Sequence, residues 1–406
     1  MKSKNSLFPL FFTIFNDSLA WGIVLIIFAP MLLDSSYPFL PAETSVQLRT
    51  ILIGLVLAVF GLGQFLSAPL LGALSDHIGR KKVLLISLWG SACSCALTAM
   101  SIDLHSLFLL FLSRFLAGVA SGNLPIAQAS IADLSTEKTK AKNLSFVALT
   151  AGISWIIGPP IGGKLADPSL ISWFSFATPL WITAAFFVIN ALAVHIKFKE
   201  TYAKEEKGGL GFKGEIFAIR ECFRLPSLRI ALTVYLFYLI GWFFFLLFYP
   251  TLMVQKFGLN QSEIGNLSGY LSLWFLGGSL FVTHWLSRKV GPHHMVFYPV
   301  LTAGTFIFIT LFFHKVAYYL VTLPFIAAGA SIAWVGFMTL LSDLAGSKNQ
   351  GKIFGVQQSL CSISLFMSPL VSGFLSAGNE MLPLMIGSFL ILISAFGYYF
   401  FYLKRV

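Results

Sequence analysis

The chain has 406 residues, of which 57% are hydrophobic and 11% charged, and its formal net charge is +11. Soluble domains carry about 25% charged residues, so a water-soluble globular core is excluded and lipid is the solvent that fits. A basic excess of this size invites a nucleic-acid ligand, but its placement along the chain excludes one.

The apolar residues fall into blocks long enough to cross a bilayer, which takes roughly 20 residues of helix. In chain order, with breaks at charges, proline and glycine, they are 8–33, 49–73, 83–101, 106–132, 144–165 and 175–196. After a long polar gap come 229–252, 263–286, 295–313, 317–342, 353–377 and 382–403. Backbone amides in hydrocarbon must bond within their own segment, and the alternation of a barrel is missing, so all twelve are predicted as helices. The first block outruns the roughly 7–15 apolar residues of a leader's core and holds Asn16 and Asp17 in its interior, so it is expected to remain as helix 1.

An even number of helices puts both termini on one side, and the basic residues then sort by loop. Of 27 Lys and Arg, only Arg49, Lys164, Lys256 and Lys315 fall on the far side and Arg114 lies within helix 4; the other 22 share the side of the termini. That is the positive-inside distribution, which makes the charge a topology signal and both termini cytoplasmic. Cys93 and Cys95 lie two apart on a helix and face away from each other. Cys222 and Cys361 have no cysteine nearby, so neither a disulfide frame nor a metal site is suggested.

The longest gap, 197–228, separates two six-helix halves, 1–196 and 229–406. It is polar, with Lys204, Glu205, Glu206 and Lys207 ahead of Gly208 and Gly209. Phe212, Ile216, Ile219 and Phe223 recur there at helical spacing among Lys213, Arg220 and Arg224, as in an amphipathic helix lying on the inner leaflet; a disordered linker is the competing reading. The halves repeat each other. Leu74–Ser75 matches Leu286–Ser287 and Gly79 matches Gly291, both 212 positions on, while Asp133 matches Asp343 and "GPPIGG" at 158–163 matches "SPLVSG" at 368–373, both 210 on. Repeated membrane halves are the build of transporters whose site lies between them near the midplane.

"LLGALSDHIGRKKVLL", residues 70–85, joins helices 2 and 3 on the side of the termini. Its Gly72, Leu74, Asp76, Gly79, Arg80 and Lys81 resemble the signature loop of the major facilitator superfamily, Gly-x-Leu-x-Asp-x-x-Gly-Arg-Lys/Arg. Arg114, Gly118 and Gly122 in helix 4 resemble that family's Arg-x-x-x-Gly pattern, and Asp133 closes the helix in "SIADLS". Gly158, Pro159, Gly162 and Gly163 in helix 5 resemble the core of the family's antiporter motif, a helix-bending element. The extended pattern has a glycine four residues earlier, where this chain has Ser154. "NDSLAWGIVLIIFAP" places Asp17, Gly22 and Pro30 as in helix 1 of the drug:proton antiporter branch, which includes the tetracycline exporters.

The resemblance spans the chain. It implies an all-α membrane protein of twelve transmembrane helices in two pseudo-symmetric six-helix bundles, the major facilitator fold, working by alternating access. It also implies that the loop is a gating latch. An Asp near a helix end is stabilised by the positive N-terminus of a facing helix, Gly72 lets that helix approach closely, and Arg80 is placed to reach both Asp76 and Asp133. The second copy has decayed, with Arg288 where Asp76 stands, then Lys289, Gly291 and Pro292; Asp343 is left to pair with Arg288.

Two full charges sit deep within helices, Asp17 and Arg114. Each costs on the order of 2.5–3.5 kcal/mol at the bilayer centre on insertion scales, which makes both functional candidates. They are expected to couple transport to protons, with Asp17 loaded from one side and discharged to the other and Arg114 acting on its proton affinity; a static ion pair between helices 1 and 4 is the alternative. Helix 4 repeats Arg114, Gly118, Ser121, Pro125 and Gln128 along one polar stripe, with Asn123 beside it. Asn16 on helix 1 and Gln64 on helix 2 add amides. Tyr235, Tyr238, Trp242, Phe245 and Tyr249 form an aromatic stripe on helix 7, joined by Tyr270 and Trp274 on helix 8, Trp334 on helix 10, and Gln357 and Gln358 on helix 11. Such a surface suits flat, partly apolar compounds or cations held over rings, although stripes of this kind also arise from packing alone.

The expected protein is a proton-coupled exporter of amphiphilic or drug-like small molecules. The alternative is a carrier, inward or outward, of a carboxylated metabolite such as an organic acid or siderophore, held by Arg114, Gln64 and Gln128. A non-transporting membrane sensor has little use for an intact latch, and a membrane enzyme lacks a nucleophile–base pair, histidine cluster or metal spacing. No cofactor or metal is implied; the partners are the substrate, protons and lipid, with no nucleic acid. A bacterial inner membrane is expected from the length and short loops, and a monomer is expected although no residue pattern fixes the oligomeric state.

Overall fold

The computed structural model describes residues 4–201, 220–290, 294–346 and 350–402, and among them there are helices and turns but no strand. The helices before the linker are α1 (Lys4–Leu33), α2 (Val46–Ile78), α3 (Arg80–Asp103), α4 (Leu107–Val119), α5 (Asn123–Asp133), α6 (Glu137–Leu165) and α7 (Thr178–Lys197). After it come α8 (Pro226–Phe257), α9 (Gln261–Gly277), α10 (Thr283–Ser287), α11 (His294–Thr310), α12 (Ala317–Ala345), α13 (Gln350–Gly378) and α14 (Leu382–Phe401). Ten stretches are long and apolar enough to cross a membrane, α4 and α5 counting as one. The 17 residues of α11 and the run from α9 through a π-helical turn at Gly278–Val282 into α10 complete a twelve-span fold. Most of the expected amphipathic segment, and Gly291 and Pro292, lie outside the described residues.

Block 106–132 is two helices rather than one. Pro125 has no N–H, and its ring crowds the carbonyl of Ser121 four residues back, so the helix breaks at residues 120–122. Hydroxyls from α2, α3 and the break itself reach the carbonyls there. The oxygen of Gly118 accepts from Ser121 Oγ at 2.6 Å and from Ser67 Oγ on α2 at 3.2 Å, and that of Ala120 accepts from Ser87 Oγ on α3. Both carbonyls also accept backbone N–H groups, Gly118 from Ser121 at 3.1 Å and Ala120 from Gly122 at 2.8 Å, so the tight turn keeps them bonded and the serines add second donors. It also divides the polar stripe of helix 4, with Arg114 on α4 and Asn123 and Gln128 on α5.

The chain forms two compact units, Met1–Glu43 with Val59–Phe212 and Asn260–Gly269, and Thr44–Ala58 with Lys213–Leu259 and Tyr270–Val406. The first unit thus takes in the start of α9, and the second the start of α2. Within the first, α1 packs on α6 and α7, and α3 on α4 and α7; within the second, α8 packs on α13 and α14, and α11 on α12 and α14. The same pairings therefore recur at the repeat offset. Small residues set the closest approaches, as they do where lipid supplies no hydrophobic drive between helices. A Cβ on Gly63 would lie 2.5 Å from the Phe115 carbonyl, one on Gly54 2.5 Å from that of Pro369, and one on Gly241 2.5 Å from that of Gly387.

Candidate functional site

The polar centre of the first unit is built where α5 restarts after its break. That restart places Asn123 fully buried beside α1 and α3. Its amide nitrogen donates to Asp17 Oδ1 at 3.1 Å and to Ser91 Oγ at 2.8 Å. Neighbouring Asn16 is also buried and donates to the Phe186 carbonyl at 3.0 Å. The Oδ1 atoms of both asparagines are buried without a hydrogen-bond partner among the described residues. Asp17 itself is half-buried. The helix 5 motif fixes this stretch of α1: α6 runs uninterrupted through Pro159 and Pro160, Gly158 lies against the backbone of Leu19, Gly162 against Ile23, and the Pro159 ring against Gly22.

Arg114 is not the neighbour of Asp17. Its guanidinium is buried between two phenyl rings, 4.9 Å from the centroid of Phe60 and 5.5 Å from that of Phe28. Trp21 meets Phe60 edge-on at 4.7 Å and completes the stack. Phe28 stands eleven residues beyond Asp17 on α1, roughly 16 Å of helix rise. The two charges therefore lie at different depths, and among the described residues no ion pair joins them. From Ile23 to Leu32 every residue of α1 is buried.

Gln64 and Gln128 are half-buried on α2 and α5. In the second unit Tyr238 donates to the Ala330 carbonyl at 2.7 Å and packs with Tyr235 and Phe337, while Trp242 is buried against Phe245 and Phe275. Trp334 meets Tyr235 edge-on. The aromatic stripe of α8 is thus substantially packing. Tyr270 donates to the Leu320 carbonyl at 3.0 Å beside Trp274, which is 42% exposed. Gln358 is exposed, whereas Gln357 is buried with neither amide atom hydrogen-bonded.

At the α2–α3 turn, Arg80 forms an ion pair with Asp133. Asp76 lies in the last turns of α2, and its side chain is outside the described residues. Gly79 has φ +98° and ψ 153°, a conformation open essentially to glycine alone, and the sequence pattern alone does not say why it is needed. The reason is Glu200, which follows α7. Its carboxylate accepts from the backbone N–H of Arg80 at 3.0 Å and of Lys81 at 3.1 Å, capping α3, and any Cβ at residue 79 would collide with it. Lys81 Nζ donates to the His195 carbonyl at 2.8 Å. Two expectations differ from the structure: among the described residues a Cβ on Gly72 would meet nothing within 4 Å, so the close approach foreseen there is not made by them, and no ion pair among them joins Asp343 to Arg288.

The opposite ends of the helices carry polar contacts of their own. In the first unit Ser262, at the start of α9, donates to Asp167 Oδ2 at 2.8 Å, Gln261 Nε2 donates to the Ala166 carbonyl at 3.1 Å, and Gly163 lies against the Gln261 backbone. Burial pushes the Asp167 carboxyl up, but hydrogen bonds from Ser169 and Ser262 outweigh it and hold the group below its ordinary value. In the second unit Gln255 donates to Thr50 Oγ1 at 2.7 Å and accepts from Ser376 Oγ at 3.2 Å.

Paired helix repeats, a charged signature turn and acid and base embedded at separate depths define a secondary-transporter fold. The sequence model of the Major Facilitator Superfamily matches residues 10–369, and the chain belongs to that family; it is a multi-pass membrane transporter, not an enzyme. It is 28% identical over 333 residues to Multidrug resistance protein 1 of Bacillus subtilis, covering 80% of each chain. With the class E tetracycline resistance protein of Escherichia coli it shares 25% over 372 residues, 90% of this chain and 87% of that one. Among solved structures it superposes on the human organic anion transporter MFSD10 (TETRAN) with a TM-score of 0.69 at 20% identity, covering 98% of this chain and 99% of that one. A bacterial homologue of the human lysosomal transporter Spinster gives 0.75 at 13%, over 98% and 96%.

Proposed function

We propose that this protein is a proton-coupled exporter of amphiphilic, drug-like small molecules, resident in a bacterial inner membrane with both termini cytoplasmic. The observation that carries the reading is Asp17: a half-buried carboxylate on a membrane helix, bonded to the neutral amide of Asn123 and held by no ion pair among the described residues. A carboxylate fixed by a cation stays ionised, whereas one held by a neutral donor takes or loses a proton as its access to water changes. Each proton crossing a 100 mV potential contributes about 2.3 kcal/mol toward moving a substrate outward. The named relatives confer resistance to tetracycline and to multiple drugs, which supports export. The Arg80–Asp133 pair and the cap by Glu200 are the parts of the latch at the cytoplasmic turn. The buried amide of Gln357 is the part of the second unit assigned to substrate.

The test is accumulation of ethidium, rhodamine 123 and tetracycline in cells lacking their own pumps, expressing wild type or Asp17→Asn. Export predicts lower accumulation than in vector controls, lost in the variant and on collapsing the proton gradient. Equal exclusion by the variant refutes Asp17 as the proton carrier. The carboxylate-carrier reading retains one observation, the guanidinium of Arg114 without a carboxylate among the described residues, and net uptake of an organic acid in the same cells is the result that favours it.

A further inference from the structure

We propose that the cavity at the linker end of the second unit, between the start of α8, the end of α12 and the start of α13, is a binding site for an acidic phospholipid whose phosphate is held by Arg224 and Lys352. Neither the transported substrate nor proton coupling enters its definition, and its occupancy can be measured without either.

The cavity has a volume of about 310 Å³, within the range of small-ligand pockets. The chain fixes its depth in the bilayer. Leu228, Ala345 and Lys352, all on its wall, are the residues at which three membrane spans begin or end. It therefore opens at the boundary where headgroups sit, neither in bulk water nor in hydrocarbon. The lining has both characters that such a place requires. Leu228 and Ile353 are buried and form the apolar part of the wall. Burial pushes the Cys222 thiol up, so that side chain adds a neutral surface. Leu225, 53% exposed just ahead of the span, leaves an apolar face at the mouth, and Arg224 and Lys352 supply the cations.

The charges favour an anion. Residues 220–229 carry Arg220, Arg224 and Arg229 against one carboxylate, Glu221. That carboxylate forms an ion pair with Lys352, whereas among the described residues no ion pair takes Arg224. A guanidinium in this state binds phosphate oxygens through a fork of parallel N–H groups. Lys352 has three donors, and a partly exposed pair such as its own with Glu221 contributes little by itself, so phosphate oxygens can join or displace that carboxylate. Two helices begin at the cavity and one ends there, so positive helix ends outnumber negative ones. Basic pockets between membrane helices take up acidic headgroups for these reasons. Free phosphate shares the charge chemistry but makes no use of Leu225 and the apolar wall. A diacyl phosphate ester uses both.

The experiment is native mass spectrometry of the full chain released from dodecyl maltoside, titrated with palmitoyl-oleoyl phosphatidylglycerol or the matching phosphatidylethanolamine. Wild type is expected to retain phosphatidylglycerol at the lower lipid concentration. Each basic residue near a membrane surface contributes about fivefold to binding of anionic lipid. Arg224→Gln and Lys352→Gln are therefore each expected to weaken retention about fivefold, and together about twenty-five-fold. Glu221→Gln removes the competing carboxylate and is expected to strengthen retention, a gain that a merely structural ion pair would not produce. Lys140→Gln removes an equal charge from an exposed position on α6 and is expected to change nothing. Arg224→Gln breaks no ion pair among the described residues, so it decides the matter alone where Lys352→Gln lowers the yield of folded protein. Equal retention of the two lipids by wild type, or wild-type retention by Arg224→Gln, overturns the site. A loss in Lys140→Gln as large as that in Arg224→Gln also overturns it, in favour of diffuse surface attraction. Displacement of phosphatidylglycerol by excess inorganic phosphate at constant ionic strength overturns the lipid as occupant, in favour of the free anion.

Discussion

Gly79 and Glu200 make a prediction whose size follows from the geometry. At φ +98° and ψ 153° a side chain costs about 1–3 kcal/mol in backbone strain. A methyl group at residue 79 would also occupy the place of the Glu200 carboxylate, so Gly79→Ala expels the cap on α3 as well. That cap consists of two bonds to backbone N–H groups, at 3.0 and 3.1 Å. It is exposed, and its loss is expected to cost about 1 kcal/mol, the size of an ordinary helix cap. The two substitutions must then be non-additive. Glu200→Ala costs about 1 kcal/mol with Gly79 present and close to nothing in Gly79→Ala, where the cap has already gone; the double variant is as unstable as Gly79→Ala alone, about 2–4 kcal/mol below wild type. The assay is reversible unfolding of the full chain titrated from dodecyl maltoside into SDS, followed by tryptophan fluorescence. If Glu200→Ala costs the same in both backgrounds, the carboxylate is not what the glycine accommodates, and this account of the signature turn is wrong.

Other residues make narrower predictions. Asn123→Leu removes the donor shared by Asp17 and Ser91; a hydrogen bond to a charged group contributes about 1.5–3 kcal/mol, so substrate-driven transport in liposomes at fixed pH is expected to fall roughly ten- to a hundredfold while membrane insertion is unchanged. Because the Asp167 carboxyl is held below its ordinary value of 3.8, its bonds stabilise fully above that value and are lost as pH falls through the lower native one. Asp167→Asn is therefore expected to flatten the acid limb of a detergent stability profile, and an unchanged limb counts against those bonds. With Cys93, Cys95, Cys222 and Cys361 replaced, a disulfide in Asp167→Cys/Ser262→Cys is expected to stop transport until reductant is added; full activity in the oxidised form means that this contact persists through the cycle.

What the sequence disclosed is what has a local cause. Twelve apolar blocks were legible because lipid demands a run of about 20 apolar residues whatever the neighbours are, and all twelve have helical counterparts. The break inside helix 4 is signalled by Pro125, which also fits the spacing of the polar stripe and so gives two signals at once. The serines that add donors to the carbonyls at the break, Ser67 and Ser87, come from α2 and α3, and no periodicity on helix 4 announces them. Glu200 was missed for a similar reason: it lies 120 residues from the turn it caps, and an acidic residue after a helix looks like any loop residue. The aromatic face of α8 illustrates the opposite error. Tyr238 and Trp242 were legible as a stripe, yet a 3.6-residue period gives the same signal for a packed face as for a binding face.

The placement of Asp17 and Arg114 was illegible because spacing within one helix says nothing about depth relative to another. Only the antiparallel run of α1 and α4 puts Arg114 level with Phe28. The difference matters energetically. At an effective dielectric of about 20, unit charges 4 Å apart interact by about 4 kcal/mol, and the interaction falls in inverse proportion to distance. A direct pair would hold Asp17 ionised throughout the cycle and make it a structural bolt. At the greater separation the guanidinium contributes a small bias, and the larger changes at the carboxyl come from hydration and from the Asn123 amide, both of which can change as helices move. An acid with a neutral partner and a cation held apart by aromatic rings is thus an arrangement in which solvent access, more than a fixed counter-charge, decides when the proton is held. Its stability follows from the same separation. The cost of burying Arg114 is met by Phe28 and Phe60, leaving Asp17 free of the role of counter-ion.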